Sequence, residues 1–261
     1  MDRVLIDISN GVADVRLNRP EKRNALDRAQ FEAIVEGIDA LASDRSLRCV
    51  VLSGEGEAFC AGIDLSFLNG AVSDDLLGRS NGPANLYQQA AWGWRALPVP
   101  VIAAIQGVAF GGGLQIALGA DLRIVSPSAQ LSVMEINWGL VPDMAGVALM
   151  RGLVRDDVAR DLVYSGRIVP GSEAVEVGLA TQCCDDPRAE AFRRAAIISG
   201  RSPDAIRAGK RLLNAAADAD TATVLFEESR EQYALIGGPD QREILLAAQE
   251  KRAPAFSVSG R

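Results

Sequence analysis

Apolar and polar residues alternate along residues 4–8 and again along residues 12–17, at the start of the chain. Alternation with a period of two is typical of a strand that buries one face. Asn10 and Gly11 separate the two runs, and this pair favours the tight turn of a β-hairpin. The pattern therefore predicts that the chain opens with two antiparallel strands.

A helical spacing follows the hairpin, after a loop with the sequence NRPEKRNAL. Asp27 is a suitable N-cap for this helix. The apolar residues after it recur on one helix face, at Phe31, Ile34, Val35, Ile38 and Leu41. A second helix is predicted around residues 84–96.

Short and nearly continuous apolar runs occupy residues 49–52 and 101–105. Such runs are typical of strands that are covered on both faces. A further strand is predicted at 122–125, after a short helix that begins within the glycines at 111–113. Strands that alternate with helices indicate an α/β core with helical crossovers.

From about Asp156 onward the pattern is one helix after another. Ser202 and Pro203 are typical of an N-cap followed by proline in the first helical position. Two amphipathic segments follow, around residues 221–236 and 239–251. We therefore predict an α/β core domain over residues 1–200 and a helical C-terminal module over residues 201–261.

The composition excludes several kinds of catalytic and binding site, and it says less about the fold. The chain has 27 basic and 34 acidic residues, a formal net charge of -7, and no histidine. An acidic chain lacks the broad basic surface that nucleic acid requires, so we expect no nucleic-acid partner. The absence of histidine excludes Ser-His-Asp and Cys-His catalysis and imidazole metal sites, and no metal site is predicted. With no signal-like or membrane-spanning apolar run, we expect no membrane association and a cytoplasmic location.

The segment AIQGVAFGGGLQIALGADLRI places three glycines between an apolar strand and a short helix. Backbone N–H groups at a helix start are free to bind an anion. Glycine serves equally well in a close-packed turn between a strand and a helix. The P-loop and dinucleotide-binding patterns both fail here, because Leu114 and Gln115 replace the Lys-Ser/Thr pair and Ile116 is too large.

Two other segments contain candidate functional residues. In EGEAFCAGIDLSFL, small residues permit a ligand to approach the backbone, and Cys60 is predicted to be an apolar filler because no histidine can activate it. In QLSVMEINWGLVPDMAG, Glu135 and Asp143 lie among apolar residues, which favours raised pKa values and acid–base chemistry. The alternatives are a structural hydrogen bond for Glu135 and a helix cap for Asp143.

Together these segments resemble the enoyl-CoA hydratase/isomerase (crotonase) family, and the likeness runs nearly end to end. NRPEKRNAL at 18–26 is similar to the family's CoA-binding loop, and FCAGIDL at 59–65 to its first oxyanion segment. IQGVAFGGGLQIALGADLRI is similar to the second oxyanion segment, and EKRAPAF to the terminal helix and tail. The resemblance implies an α/β crotonase-like spiral of ββα units with a C-terminal helical module that mediates homotrimers or dimers of trimers.

The resemblance also implies an acyl-CoA thioester as ligand, with no separate cofactor. The thioester oxygen would lie between the backbone N–H groups of Ile63 and Gly112, which would stabilise an enolate. The residues that would bind CoA or substrate are Arg23, Ala25, Ala61, Gly62, Asp64 and Leu65, with Arg23 a candidate cation for the CoA phosphates. Lys251 and Phe256 would reach the adenine end from a neighbouring subunit.

One position departs from the family pattern. Hydratases of the family use two glutamates, and the place of one of them is taken here by Gln115, whose amide cannot accept a proton at neutral pH. Glu135 matches the other glutamate, and Asp143 stands where some isomerases of the family carry a catalytic aspartate. The resemblance thus implies Glu135 and Asp143 as catalytic residues, with Gln115 positioning the substrate.

Several functions remain open from the sequence. The leading expectation is an enoyl-CoA hydratase/isomerase that either hydrates a 2-enoyl-CoA or moves its double bond. The alternatives are an inactive acyl-CoA-binding protein, or an acyl-CoA hydrolase or decarboxylase. The apolar residues between 66 and 94 would either line the acyl pocket or pack between helices.

Overall fold

The computed structural model describes residues 2–68 and 76–257. A six-stranded sheet in the order β1-β2-β3-β4-β6-β9 forms the centre of the molecule, and a three-stranded sheet has the order β5-β7-β8. The strands are β1 (Val4–Ser9), β2 (Val12–Leu17), β3 (Cys49–Gly54), β4 (Val101–Ile105), β5 (Val108–Phe110), β6 (Leu122–Val125), β7 (Gln130–Ser132), β8 (Val169–Pro170) and β9 (Gln182–Cys183).

Helices connect and cover these strands. They are α1 (Arg28–Ser43), α2 (Leu65–Leu68), α3 (Leu86–Ala96), α4 (Gly112–Leu118), α5 (Gly146–Met150), α6 (Asp156–Ser165), α7 (Gly171–Glu176), α8 (Pro187–Ser199), α9 (Pro203–Ala215), α10 (Thr221–Leu235) and α11 (Pro239–Glu250), with two short 3-10 helices at Pro20–Lys22 and Glu135–Trp138. Within the described parts of the chain, no helix combines the length and the apolar character needed to cross a bilayer.

The N-terminal hairpin is confirmed. β1 and β2 pair antiparallel from Val4↔Leu17 to Ser9↔Val12, and the turn residues Asn10 and Gly11 have φ angles of 52° and 76°. Both angles lie in the left-handed region that the two-residue hairpin turn requires, which asparagine and glycine adopt most readily. β2 then continues the sheet by pairing parallel to β3.

The predicted helix starts are also confirmed. The Asp27 side chain accepts a hydrogen bond from the Gln30 N–H at the start of α1, and the Ser202 side chain accepts one from the Ala205 N–H at the start of α9. These side chains satisfy backbone donors that have no partner inside the helix. The short helix within the triple glycine is α4.

Both faces of the central strands are buried, as their continuous apolar runs predict. One face packs against α1 and α3 in a core that includes Phe31 and Trp94. The other face packs against α8, through Ala191 and Ala195. The strand residues of this second cluster are Cys49, Val51, Ile102, Ala104 and Ile124. The helical crossovers predicted for an α/β core therefore lie above and below the sheet.

The expectation of an unbroken run of helices after Asp156 is wrong. β8 and β9 interrupt that region, and β9 adds a strand to the central sheet through the pairs Ile124↔Gln182 and Val125↔Cys183. Each of these strands has two residues, which is too short for alternation to show. The three-residue strands β5 and β7 are absent from the sequence prediction for the same reason.

The C-terminal helical region is joined to the α/β part by buried cations on α9. Lys210 Nζ donates to the carbonyl oxygens of Trp94 and Val99 at 3.3 and 2.8 Å and to Asp121 Oδ2 at 2.8 Å. Arg207 donates to the Leu47 carbonyl oxygen at 2.9 Å. These hydrogen bonds join α9 to the α/β part of the chain, and the division into two domains at residue 200 stays a prediction.

We expect Lys210→Met to lower the free energy of unfolding by about 3 kcal/mol, because it leaves the partly buried Asp121 carboxylate without its cation and two carbonyl oxygens without their donor. Urea unfolding followed by circular dichroism measures this change. Lys22→Met is the matched control, since Lys22 is exposed and its replacement should stay within about 0.5 kcal/mol. Equal effects of the two substitutions would show that the buried ion pair does not anchor α9.

Candidate active site

A cavity of about 190 Å³ lies where the three segments singled out in the sequence meet. Its wall is formed by Ala61, Gly62, Ile63, Leu65, Phe110, Gly111, Gly112, Gln115, Met134, Glu135, Trp138, Leu140, Asp143 and Met144. A larger cavity of about 510 Å³ lies beside α5 and α6. The smaller one is the candidate site, because it joins both predicted carboxylates to both glycine-bearing bends.

The main chains of the two bends approach each other closely at Gly62. A Cβ atom at this position would lie 2.6 Å from the Phe110 carbonyl oxygen and 3.9 Å from the Gly112 nitrogen. Gly62 also has a φ of 88°, which other residues rarely adopt. A side chain at residue 62 is therefore excluded by space and by conformation, and its absence brings the two backbones together.

Ile63 and Gly112 both line the cavity beside this junction, and their backbone N–H groups have no acceptor in the described part of the chain. Leu26 bonds to the residues on either side of Ile63, through Leu26 N to Gly62 O at 2.8 Å and Asp64 N to Leu26 O at 2.9 Å. In such a parallel bridge the Ile63 N–H points away from Leu26. Gly112 is the first residue of α4, so its N–H has no intrahelical acceptor. Neither group donates to another of the residues that the structure describes.

The glycines of the second bend also serve close packing. A Cβ at Gly112 would lie 2.8 Å from the Met144 sulfur, and one at Gly113 would lie 2.5 Å from the Cys60 carbonyl oxygen. The two interpretations of the triple glycine are therefore compatible. Tight packing requires residues without side chains at these positions. The lack of a side chain also leaves the backbone at Gly112 in the cavity wall.

Glu135 is the most buried acid of the site. It begins the second 3-10 helix and is 8% exposed. Its Oε1 accepts a hydrogen bond from Gln115 Nε2 at 2.6 Å, whereas Oε2 has no partner among the described residues. Burial raises the pKa of the Glu135 carboxyl, and the nearby Asp143 charge raises it further against the opposing effect of the Gln115 bond.

Gln115 is held by three hydrogen bonds. Its Oε1 accepts from the Met144 and Gly146 N–H groups at 2.8 and 2.9 Å. Because the carbonyl end of the amide faces these two donors, the NH₂ end must face Glu135. Gln115 therefore connects Glu135 to the start of α5. What the structure shows is the positioning of Glu135, while a direct role in positioning substrate stays a prediction.

Asp143 does not cap a helix, so that alternative is wrong. The helix after it is α5, which begins at Gly146 with Ala145 as N-cap residue. Asp143 lines the mouth of the cavity instead. Although the residue is exposed to solvent, the atoms packed round its carboxyl raise the pKa of Asp143 above its ordinary value.

Comparison with known proteins shows the family. The model of the enoyl-CoA hydratase/isomerase family matches residues 7–259. The chain belongs to this family. It is 38% identical to YngF of Bacillus subtilis (strain 168), whose name refers to an enoyl-CoA hydratase/isomerase, over 98% of each chain. It is 30% identical to the mitochondrial methylglutaconyl-CoA hydratase of Mus musculus, over 97% of this chain and 82% of that protein.

Solved structures of enoyl-CoA hydratases have the same fold. The enzyme from Bacillus anthracis matches with a TM-score of 0.89 and 29% identity, over 98% of this chain and 100% of the other. The crotonase-like α/β fold with a C-terminal helical region, predicted from the motifs, is thereby confirmed. The two sheets correspond to the ββα units of this fold, because β4 and β6 lie in the large sheet and the strands after them, β5 and β7, in the small one.

The residues predicted to bind CoA in this family member fall into two groups. Ala61, Gly62 and Leu65 line the cavity. Arg23, Ala25 and Asp64 lie in the loops beside it. Arg23 accepts a hydrogen bond from the Ala61 N–H through its carbonyl oxygen at 2.9 Å and has an exposed side chain, as binding a phosphate requires.

Both carboxylate oxygens of Asp64 bond to residues of its own chain. Its Oδ2 lies 2.8 Å from Arg19 Nη1, and its Oδ1 accepts from the Ser66 hydroxyl and N–H at 2.6 and 3.0 Å. The Ser66 bonds and the Arg19 charge lower the pKa of Asp64 to about 2. Asp64 therefore shapes the loop as a permanently charged partner of Arg19.

Asn24 is a structural residue of the site that the sequence analysis missed. It is fully buried, and its Nδ2 donates to the Glu55, Ala58 and Phe59 carbonyl oxygens at 3.0, 2.8 and 3.2 Å. These bonds hold the predicted CoA loop against the first bend. No local pattern marks Asn24, because its acceptors lie more than thirty residues away.

The apolar wall of the cavity comes from another part of the chain than the sequence suggested. Phe67 and Tyr87 pack on Phe31, with ring centroids 6.3 and 4.8 Å away, and Trp94 is buried in the core. These residues therefore pack between helices. The wall is formed by Met134, Trp138, Leu140 and Met144 together with Leu65 and Phe110; the predicted stretch at 69–75 lies outside the described residues.

Cys60, Lys251 and Phe256 complete the predicted set. Cys60 is fully buried, burial raises the pKa of its thiol to about 12, and a filler role is confirmed. The Arg48 guanidinium lies over the Phe256 ring, with its central carbon 5.9 Å from the ring centroid. Phe256 is therefore not at the cavity of its own chain. Lys251 ends α11, so contact of either residue with a neighbour's ligand stays a prediction.

Gln115→Glu should make the stability of the protein depend on pH. The new carboxyl keeps the Met144 and Gly146 N–H donors, but it lies at hydrogen-bond distance from Glu135, and two such carboxyls share one proton. A pKa that is higher in the folded than in the unfolded state makes stability fall as pH rises between the two values. We expect a loss of about 1.4 kcal/mol per pH unit relative to the parent protein, measured by urea unfolding from about pH 5 to about pH 8.

Gln130→Glu is the matched control, because Gln130 carries the same amide on the exposed side of β7. Its unfolding free energy should follow that of the parent protein at every pH. A Gln115→Glu protein with the same pH profile as this control would contradict the close contact between residues 115 and 135.

Proposed function

We propose that the protein is an acyl-CoA enzyme that transfers protons next to a thioester through an oxyanion-stabilised enolate. One observation carries the proposal: Ile63, Gly112 and Glu135 line a single cavity, and the main-chain N–H groups of the first two and Oε2 of Glu135 have no partner among the described residues. The thioester oxygen accepts from Ile63 and Gly112, and Glu135 Oε2 is left to exchange the proton. The Arg23 side chain binds a CoA phosphate at the entrance.

The proposed chemistry needs no other reagent. Glu135 Oε2 removes a proton from a carbon alpha or gamma to the thioester, and the electron pair moves to the carbonyl oxygen to give the enolate. The two N–H groups stabilise that charge, which the ground-state carbonyl does not carry. When the proton returns from Glu135 to the other carbon, the double bond has moved and the carboxylate is restored.

Migration of the double bond is the reaction that the residues favour over hydration. Hydration by two glutamates needs a second proton acceptor beside Glu135, and the neighbouring group is the amide of Gln115, with its carbonyl oxygen already bonded to two N–H groups. Asp143 serves as the second proton-handling group at the mouth. Hydration is the second candidate, because YngF and the Bacillus anthracis enzyme carry hydratase in their names.

Two classes of acyl group are open to this site. The name of the Bacillus anthracis enzyme specifies an enoyl group and no further charge. The name of the mouse relative specifies a methylglutaconyl group, which carries a second carboxylate. The two classes differ by one full negative charge close to the reacting carbons.

We further propose a homotrimer or dimer of trimers in the cytoplasm. The support for the assembly is the exposure of α10. None of its residues is buried in the chain, and its apolar residues Leu225, Phe226 and Tyr233 are 57, 66 and 85% exposed. Apolar side chains in such numbers on one helix favour contact with a further subunit.

Glu135→Gln should lower kcat by about 1,000-fold or more, because the amide cannot take the proton. Purified protein is incubated with 2-enoyl- and 3-enoyl-CoA of equal length, and isomer, 3-hydroxyacyl-CoA and free CoA are separated by chromatography. Glu36→Gln is the control, since Glu36 is exposed on α1, and its kcat should equal that of the parent protein. Turnover by Glu135→Gln at the parent rate would refute the proposal.

The products separate the remaining functions. Isomer alone supports double-bond migration, 3-hydroxyacyl-CoA supports hydration, and free CoA would indicate a hydrolase. Loss of carbon dioxide would indicate a decarboxylase. If the parent protein binds the thioesters and forms no product from any of them, it is an acyl-CoA-binding protein without catalysis.

Asp143→Asn should move the acidic limb of the pH profile of kcat/KM to lower pH. Glu135 must be ionised to act as a base, and the negative charge of Asp143 raises the pKa of Glu135. Removal of that charge lets Glu135 ionise at lower pH, while the loss of the second proton-handling group lowers the plateau. An acidic limb at the parent position would show that the two carboxyls do not interact.

A further inference from the structure

We infer that the site selects acyl-CoA thioesters with an uncharged acyl chain and rejects those that carry a second carboxylate. This inference rests on the proposed function, because it concerns the acyl group at the same cavity. It is argued from the charge of the cavity wall, from the hydrogen-bond donors available there, and from the partners of the cations in neighbouring segments.

The wall of the cavity carries negative charge and no positive charge. Of the residues that line it, Glu135 and Asp143 are acidic, and none of the described lining residues is a lysine or arginine. Apart from Gln115, the others are glycines or apolar residues. A carboxylate that enters such a wall loses its hydration without meeting a compensating cation, which is strongly unfavourable.

The donors at the wall are already in use. Gln115 Nε2 donates to Glu135 at 2.6 Å, and the Ile63 and Gly112 N–H groups are needed for the thioester oxygen. Trp138 is the other side chain of the described wall with an N–H group, and it offers a single donor at a half-exposed position. A buried carboxylate requires several donors or a cation, and this wall does not provide them.

Two arginines of the neighbouring segments are paired with the protein's own acids, and Arg23, which lies beside the first bend, is assigned to a CoA phosphate. Arg19 lies 2.8 Å from Asp64 and 3.6 Å from Asp27. Arg167, close in sequence to the Gly166 that contacts Ile136, pairs with Asp161 and Glu173 at 2.8 Å each. Arg79, the first cation after the first bend in the sequence, donates to the carbonyl oxygens of Leu76, Leu77 and Gly78 at 3.2, 2.9 and 3.0 Å.

A third carboxylate would also disable the base. The Asp143 charge already raises the pKa of Glu135, and a further negative charge in the cavity would raise it again. At neutral pH a larger share of Glu135 would then be protonated and unable to accept a proton. The selection therefore acts on both binding and turnover.

Two thioesters of the same shape test the inference. Glutaconyl-CoA carries a carboxylate where 5-methyl-2-hexenoyl-CoA carries an isopropyl group, and the two are otherwise alike. We expect kcat/KM for the carboxylate to be lower by about 100-fold or more, since the charge is left unpaired. Values within about threefold of each other would overturn the inference.

A cation added to the wall should reduce the selection. Leu140 lines the cavity and is 44% exposed, so Leu140→Arg can bring a guanidinium to the mouth. We expect the preference for the uncharged thioester to fall at least tenfold in this variant. Val147→Arg adds the same charge outside this cavity and should leave the preference unchanged. An equal fall in both variants, or none in Leu140→Arg, would overturn the inference.

A binding measurement separates this inference from the proposed function. Glutaryl-CoA and 5-methylhexanoyl-CoA lack the double bond, and calorimetry gives their dissociation constants without any turnover. If the parent protein prefers the uncharged thioester at least tenfold but processes no enoyl-CoA, the inference stands and the proposed catalysis is refuted. If both bind equally well, the inference is refuted whatever the enzyme's activity.

Discussion

The contact between two backbone bends determines the architecture of this site. Gly62 allows the main chain of the first bend to approach the Phe110 carbonyl oxygen at a distance that any side chain would prevent, and this brings it near the Gly112 nitrogen. The contact leaves two N–H groups, those of Ile63 and Gly112, without partners in the described chain. Unpaired donors inside a protein cost free energy, and this pair of residues in one cavity wall is the basis of the proposed oxyanion site.

The buried carboxyl of Glu135, the proposed acid–base group, is held by a second constraint, the three hydrogen bonds of Gln115. Two backbone N–H groups fix the direction of the amide, and the amide in turn fixes one oxygen of Glu135. The other oxygen has no hydrogen-bond partner among the described residues. A neutral side chain at this position lets Glu135 ionise more readily than a second carboxyl would, so Gln115 affects both the geometry and the charge of the base.

Much of the fold was predictable from local patterns, and so was part of the site. The hairpin at Asn10-Gly11, the cap at Asp27 and the buried strands β3 and β4 follow from neighbouring residues. The wall residues Trp138, Leu140 and Met144 could not be assigned, because an apolar residue has the same signature in a core and in a pocket. Asn24 was missed because its partners are distant in sequence, and β8 and β9 because two residues carry no period.

The sequence by itself determined which chemical groups this protein has. The absence of histidine, the glycine-bearing bends, the glutamate at 135 and the amide at 115 are properties of the chain. The bends and Glu135 match the family pattern, and Gln115 departs from it. Only the tertiary structure decided how these groups meet. The direction of the Gln115 amide, the free oxygen of Glu135 and the lack of a cation in the described wall depend on distances between segments far apart along the chain, and hydrogen bonding and charge interactions depend on those distances.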